Sequence, residues 1–206
     1  PTVPTVRIWN IETGEQQRVI RNAGPPIAFS RDGDRMIAEW IEKPAKHRTR
    51  SRGLREWNIQ TGESGRHLAS VGTSTRIAHS SDRKVVAVSD YSKHFSNVTV
   101  LGFPSADVIG RFQVAGNTPS VAVSPNGHRV AALGSSRGTG IVVWDVHKQH
   151  LLRSIRGATR PIVFHPDNRH IASGSALELG GDIKIWDSDE EYGVRTLGDK
   201  LSNGSM

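Results

Sequence analysis

The amino-acid sequence predicts an all-β protein assembled from repeated four-stranded units, and two interleaved repeats carry that expectation. The segments VRIWNIETGEQQRVI, LREWNIQTGESGRHL, VTVLGFPSADVIGRF, IVVWDVHKQHLLRSI and IKIWDSDEEYGVRTL align without a gap. They place a large apolar anchor at Trp9, Trp57, Leu101, Trp144 and Trp186, at intervals of 48, 44, 43 and 42 residues. Eleven positions after each anchor stands a second apolar residue: Ile20, Leu68, Phe112, Ile155 or Leu197. Between these segments recur PIAFSRDGDRMIA, RIAHSSDRKVVA, SVAVSPNGHRVA and PIVFHPDNRHIA.

Each recurring segment reads as two strands. In the inner ones, Ile27/Phe29, Val121/Val123 and Ile162/Phe164 recur at spacing two, the period that puts side chains on one face of a sheet. A tight turn follows at Asp32-Gly33, Asp82, Asn126-Gly127 or Asp167-Asn168, residue types that tolerate positive φ or hydrogen-bond their own backbone. In the outer segments the anchor lies on a third strand and the second apolar residue on a fourth, with a hairpin between them that carries TGE in two copies. Four strands in a period of roughly 40–45 residues describe a propeller blade.

The strings RIWN, REWN, VVWD and KIWD, with SPNG or HPDN turns upstream, resemble the WD-repeat β-propeller family over residues 5–197. The resemblance implies a half-blade at 5–20 and complete blades at 26–69, 75–113, 119–155 and 160–197, about 4.5 blades in a single domain spanning 1–206. Such a ring is incomplete or is completed by flanking sequence or a second chain; the start in mid-blade favours flanking sequence. Typical blades of this family carry an Asp before the third strand and a Gly-His pair before the first. Here Val3, Ser51, Phe95, Gly138 and Gly180 stand six residues before the anchors, and NAGPP, SVGTS, AGNTP and GATRP contain no His. The family's network of His, Asp, Ser/Thr and Trp is therefore expected to be missing, leaving packing between sheets to hold the blades.

Composition narrows the chemistry. The 206 residues contain no Cys, which excludes disulfides, thiol nucleophiles and Cys-ligated metal centres. No apolar run approaches the ~18 residues of a membrane span, and the chain is expected to be cytoplasmic. The net charge of +7 is local: residues 43–55, KPAKHRTRSRGLR, hold Lys43, Lys46, Arg48, Arg50, Arg52 and Arg55 and no acid. Counted from Ile37 to Trp57, the loop before the third strand is about six residues longer than in the other blades. Enlarged loops on repeat scaffolds commonly carry binding. This one would pair its guanidinium groups with an acidic or phosphorylated partner, or else stand as a solvated loop.

Other residues weigh against catalysis. Glu56 takes the position held by Ile8, Val100, Val143 and Ile185 in the other copies, where a carboxylate is costly unless paired. A salt bridge with a neighbouring Arg is the expected answer, a ligand-facing acid the alternative. His147 and His150 fall on a hairpin, and His165 and His170 flank a turn, with no third ligand at metal-site spacing. The Arg repeated nine positions after four anchors, at Arg18, Arg66, Arg153 and Arg195, is expected to protect the outer sheet edge. The nucleophile-elbow, phosphate-loop and dinucleotide motifs are absent from the sequence. The leading expectation is a non-enzymatic scaffold for protein–protein interaction, without cofactor or metal, whose partners are other proteins rather than nucleic acid or a membrane. A propeller hydrolase or lyase with a metal site, and an anion or nucleic-acid binder acting through 43–55, are the alternatives.

Overall fold

The structure is a computed structural model that describes residues 4–41, 52–70, 76–92, 94–105, 107–136, 140–174, 182–189 and 194–197. None of these residues is helical. The first pair of strands, β1 (Thr5–Trp9) and β2 (Gln16–Arg21), forms a two-stranded antiparallel sheet. Four four-stranded sheets follow: β3 (Ala23–Phe29), β4 (Arg35–Ile41), β5 (Arg52–Asn58), β6 (Ser64–Ser70); β7 (Arg76–His79), β8 (Val85–Ser92), β9 (Phe95–Gly102), β10 (Val108–Ala115); β11 (Ser120–Val123), β12 (Arg129–Leu133), β13 (Ile141–Asp145), β14 (His150–Ile155); and β15 (Thr159–Phe164), β16 (His170–Gly174), β17 (Ile183–Asp187), β18 (Val194–Leu197). Each is a meander of sequential antiparallel neighbours.

The chain packs as two compact units, residues 1–73 with 103–106, and residues 74–102 with 107–206. In the first, Val6 and Ile20 of the two-stranded sheet meet Ala23, Met36, Ala38 and Trp57 of the sheet β3–β6. In the second, β7–β10 supplies Val85, Ala87, Val98, Val100, Phe112 and Val114 to one face of β11–β14, which answers with Val121, Val123, Val130, Ala132 and Trp144. The opposite face of β11–β14, through Ala131, Ile141, Val143 and Ile155, packs on Ile162, Phe164, Ile171 and Trp186. Strand alternation thus gives a central sheet two apolar faces, and each face is covered by another sheet.

The inner turns share one construction. Ser30, Ser80 and Ser124 donate their hydroxyls to Asp32, Asp82 and Asn126 at 2.5, 2.6 and 2.8 Å, and each hydroxyl accepts a backbone N–H five residues on. The residue after the Asp or Asn lies in the left-handed region in all four copies, at Gly33, Arg83, Gly127 and Asn168. Gly127 is constrained twice over: its φ is +75°, and a Cβ there would stand 2.5 Å from Val85 Cγ2. At the outer hairpins the residue after the anchor plays the Asx part. Asn10 and Asp145 accept two backbone N–H groups each, and Asn58 accepts one from Thr61 at 2.8 Å. The N–H groups of Lys148 and His147 hold the Asp145 carboxyl below its usual range against the opposing effect of burial.

Three expectations need correction. The second strand of the first complete sheet does not end near Ile37: Glu39, Trp40 and Ile41 pair with Leu54, Gly53 and Arg52, so part of the extra length extends the ladder. The repeated arginines stand on the outermost strands as expected, but their guanidinium groups are engaged by neighbouring sheets. Arg18 donates to the Thr61 carbonyl at 3.2 Å and Arg66 to the Ser105 carbonyl at 2.5 Å, while Arg153 donates to the Asp187 carbonyl. Each ties a fourth strand sideways to an outer hairpin of another sheet; the Arg195 side chain lies outside the described residues. Finally, one link of the expected missing network is present, since Trp186 Nε1 donates to Ser173 Oγ at 2.9 Å.

Trp57 lacks that link. Its Nε1 is buried without a hydrogen-bond partner among the described residues, and the residue matching Ser173 is Ala38, two positions after the one paired with the Trp in each case. Ser173→Ala is expected to lower stability by about 1 kcal/mol, and Ala38→Ser to raise it by up to about that amount, in denaturant titrations of the two variants. Equal and opposite-signed results would assign both effects to the indole N–H; destabilisation by both would show that Ala38 has no room for the hydroxyl.

Candidate interaction surfaces

Of the six basic residues singled out in 43–55, Lys43, Lys46, Arg48 and Arg50 lie outside the described residues. Arg52 and Arg55 are not loop residues: both belong to β5, drawn in by the lengthened ladder. The Arg55 guanidinium sits over the Trp40 ring, 4.4 Å from its centroid, and its Nη1 donates to Ser64 Oγ at 3.3 Å. Its Nε is buried and unpartnered among the described residues. His67, paired with Arg55 across the ladder, meets the far side of this group with its ring edge-on to Trp40 at 6.3 Å.

Glu56 is buried on β5, where its counterparts Val100 and Val143 are fully enclosed. The carboxylate accepts a hydrogen bond from Arg35 on the adjacent strand and lies 4.0 Å from Arg66 Nε on the other side. The hydrogen bond and charge of Glu56 push the Arg35 guanidinium above its ordinary value. The expected salt bridge is therefore present, and it has two arms. Arg35, Glu56, Asn58, Glu63, Ser64, Gly65 and Arg66 line a shallow cleft of about 260 Å³. Its charges balance, so it does not draw in either sign strongly.

The equivalent place on the last sheet is a second cleft, about 240 Å³, lined by His165, Asp167, His170 and Ile185. Sequence spacing placed the two histidines on either side of a turn; the fold aims both at one carboxylate. His170 Nδ1 lies 2.6 Å and His165 Nδ1 3.1 Å from Asp167 Oδ2. Desolvation raises the Asp167 pKa, but the backbone N–H and side chain of His170 and the N–H of Arg169 outweigh it and hold the carboxyl well below the usual range. Alongside, Arg169 reaches the buried Asp187 at 2.6 Å, and Arg129 pairs with Asp189 at 2.9 Å and bonds Ser188 Oγ. Ser188 in turn donates to the Arg169 carbonyl at 2.5 Å. No group of three or more His, Asp or Glu side chains with metal-binding geometry occurs among the described residues. His147 stands on its hairpin as expected, but its ring meets His128 edge-on at 4.8 Å.

Sequence reasoning found Glu56 through its break with the repeat. It missed the Arg169–Asp187 and Arg129–Asp189 pairs because their members are 18 and 60 residues apart. The available signal was register: Asp187 lies opposite His170 on the ladder, next to Arg169.

No protein-family profile matches the chain, and no curated protein matches it. Solved structures do. The Dos1 propeller superposes with a TM-score of 0.69 at 13% identity, covering 91% of this chain and 52% of that one. The β-propeller domain of the Trilobed protease from Pyrococcus furiosus gives 0.65 at 14% identity, covering 96% and 63%. KlAtg21, in complex with the coiled-coil of AgAtg16, gives 0.64 at 16% identity, covering 89% and 59%. The chain thus spans between half and two thirds of the length of these structures. At such identities the likeness establishes fold alone: the protein is a β-propeller fold with about four and a half blades.

The two clefts yield two expectations. Glu56→Val, which copies the sibling blades, should fold with stability within about 1 kcal/mol of the parent, because exchange of a buried ion for a matching apolar group is often neutral. Arg35→Ala should destabilise by clearly more, since it strips the buried carboxylate of its closest partner; the reverse order in chemical denaturation would make Glu56 more than a paired structural acid. For Asp167, the folded-state pKa is depressed, so its contribution is complete above the ordinary carboxylate value near ~3.9 and disappears as pH falls through the lowered value. The melting temperature of Asp167→Asn should therefore fall below that of the parent at pH 6, with the gap closing below about pH 3. A gap independent of pH would assign the loss to packing.

Proposed function

We propose that this chain is a WD-repeat β-propeller segment that acts as a non-enzymatic platform for binding other proteins in the cytoplasm. The observation that carries the reading is the division of labour among its polar residues. Those that recur from blade to blade are consumed by the framework: Ser30, Ser80 and Ser124 in inner turns, Asn10, Asn58 and Asp145 in outer hairpins, and Arg18, Arg66 and Arg153 between sheets. Those that do not recur, such as Arg55 on Trp40, Asp189 beside Arg129, and His165 and His170 around the turn carboxylate, lie partly open to solvent on that framework. A rigid repeat scaffold with variable polar surfaces suits recognition of folded or helical partners. The Trp-Asn/Asp strings supply the WD-repeat part of the proposal. The KlAtg21 structure, which holds a coiled-coil, offers a parallel for the platform part.

The competing reading is a hydrolase or lyase centred on the His165–Asp167–His170 group. Both readings meet in one experiment: assay of the purified chain against ester, phosphoester and glycoside substrates with Mg²⁺, Mn²⁺ or Zn²⁺ supplied, beside His170→Ala. The platform reading expects no turnover above buffer. Metal-dependent turnover lost in His170→Ala would replace it with the enzymatic one. An anion-binding reading rests on the acid-free run of basic residues in 43–55. It expects retention on a phosphate-bearing matrix that falls steeply with salt and is lost in the triple variant Arg48→Ser, Arg50→Ser, Arg52→Ser.

A further inference from the structure

The second compact unit gathers histidines at one end of its sheets. Its inner turns, 80–84, 124–128 and 165–169, lie at the same end as the outer hairpins that start at Val146 and Ser188, and hydrogen bonds tie them together. Val146 N–H donates to the His128 carbonyl at 2.8 Å and Ser188 N–H to the Arg169 carbonyl at 3.0 Å. Between sheets, Asn126 N–H donates to Asn168 Oδ1 at 2.8 Å, and Gly127 lies against Val85 at the foot of β8. Six of the nine histidines of the chain stand here, at 79, 128, 147, 150, 165 and 170; all are exposed except His170, which is half-buried. The repeat does not ask for them. The place of His128 is held by Asp34, Lys84 and Arg169 in the other turns, and that of His147 by Glu12, Gln60, Pro104 and Asp189 in the other hairpins.

The fixed charges around them cancel among the described residues. The sheet β7–β10 brings Asp82, Arg83, Lys84 and Asp107; β11–β14 brings Arg129, Asp145, Lys148 and Arg153; β15–β18 brings Asp167, Arg169, Asp187 and Asp189. Glu190 and Glu191 lie outside the described residues. Four of the carboxylates are drawn inward. Asp82 accepts from the Ser80 hydroxyl and the Lys84 N–H, Asp145 from the N–H groups of His147 and Lys148, and Asp167 from those of Arg169 and His170. Asp187, with its side chain 6% exposed, takes the Arg169 guanidinium and the Asp189 N–H. Asp145 and Asp167 are held below the usual carboxylate range, so both stay ionised in mild acid. Histidine is the side chain that gains charge between about pH 8 and pH 5, so acidification adds cations to the outside of a layer whose negative charge is turned in. His128 and His147 meet edge-on at 4.8 Å, and two imidazolium rings so close repel each other unless an anion joins them.

We propose that this end of the second unit is a docking surface for an Asp/Glu-rich polypeptide segment, seated on His128 and His147 and engaged as pH falls from about 7.5 to about 6. A polypeptide fits better than other anions. The exposed Tyr91 and Phe95 stand at the far end of the β8–β9 ladder from Val85, away from any base or bilayer interface that would use them here. Val108 and Leu151, exposed next to the outer hairpins, offer apolar contacts on the scale of peptide side chains. Taking the partner to be a protein rests on the platform reading, which a failure here would leave standing.

The probe is a rhodamine-labelled peptide of alternating Asp and Gly, titrated into the full chain at low salt and read by fluorescence anisotropy at about pH 7.5 and about pH 6. Lysines and arginines are charged at both, so the ratio of the two dissociation constants isolates the histidines. The expected ratio is about tenfold or more in favour of the lower pH, shrinking as salt is added. The double variant His128→Gln, His147→Gln should keep the unfolding transition, since both rings are exposed, and lose most of the ratio. His94→Gln, in the turn between β8 and β9 at the opposite end of its sheet, should retain it. A ratio near one, or a ratio that survives in the double variant, overturns the proposal. Tighter histidine-dependent binding of phosphatidylserine vesicles or of a single-stranded oligonucleotide at the lower pH also overturns it, making the occupant a bilayer or a nucleic acid.

Discussion

An all-β chain with no helix among its described residues has only sheets with which to cover sheets, and nearly everything else in this molecule follows from that. A strand alternates its side chains between two faces, so a four-stranded sheet rich in Val, Ile and Ala presents two apolar surfaces to be removed from water. Fully burying one such side chain contributes about 1.5–3 kcal/mol. The sheet β11–β14 shows the arrangement complete: Val130 and Ala132 face one neighbour, Ala131 and Val143 the other, and all four are fully enclosed. On the far side of β15–β18, which no sheet among the described residues follows in the chain, Val163 and Ile183 are exposed although the residues at their positions in β11–β14, Ala122 and Ile141, are buried.

Face-to-face packing is not directional, and sheets joined by it alone could slide. Polar groups placed at the ends of the strands supply the missing direction. Arg18, Arg66 and Arg153 each donate to backbone carbonyls of another sheet's outer hairpin, Arg66 to two of them, which fixes height as well as contact. Asn58 holds the hairpin that receives Arg18 in shape, and the Ser-Asp/Asn turns close the opposite end. Burial of Glu56 belongs to the same economy of position: a carboxylate on an apolar face is tolerated because Arg35, one strand away, and Arg66, on the other side, reach it without leaving solvent themselves.

Much of this was legible in the sequence, and the reason is repetition. One Trp or one Asp-Gly turn says little, but five aligned outer segments and four inner ones average away the local ambiguity of short strands. Strand number, order and the burial of Trp57, Trp144 and Trp186 followed from it. What repetition could not convey was the length of β4 and β5: the last two sheets have five pairs in the corresponding ladder, whereas β4·β5 has seven and β8·β9 eight, so the ladder took up residues that counting assigned to a loop. Nor could it convey where an arginine points. Arg18, Arg66 and Arg153 recur at one position, and recurrence alone fits an edge guard as well as a tie between sheets; the distinction lies in contacts spanning 43, 39 and 34 residues.

The candidate surfaces were the least legible part, for a related reason. Side chains that depart from a repeat are visible as departures, yet their partners sit on other strands, and only register brings them together. His165 and His170 looked like separate turn residues until the turn folded both onto Asp167, and Arg55 looked like part of a charged loop until β5 laid it on Trp40. The same logic runs in reverse for Trp9. Its sequence context is that of a buried anchor and its exposure is that of a surface residue: Trp57, Trp144 and Trp186 each cluster with the sheet that precedes theirs in the chain, and no sheet among the described residues precedes β1–β2. In a repeat protein, the informative position is the one where a recurring residue meets a non-recurring environment.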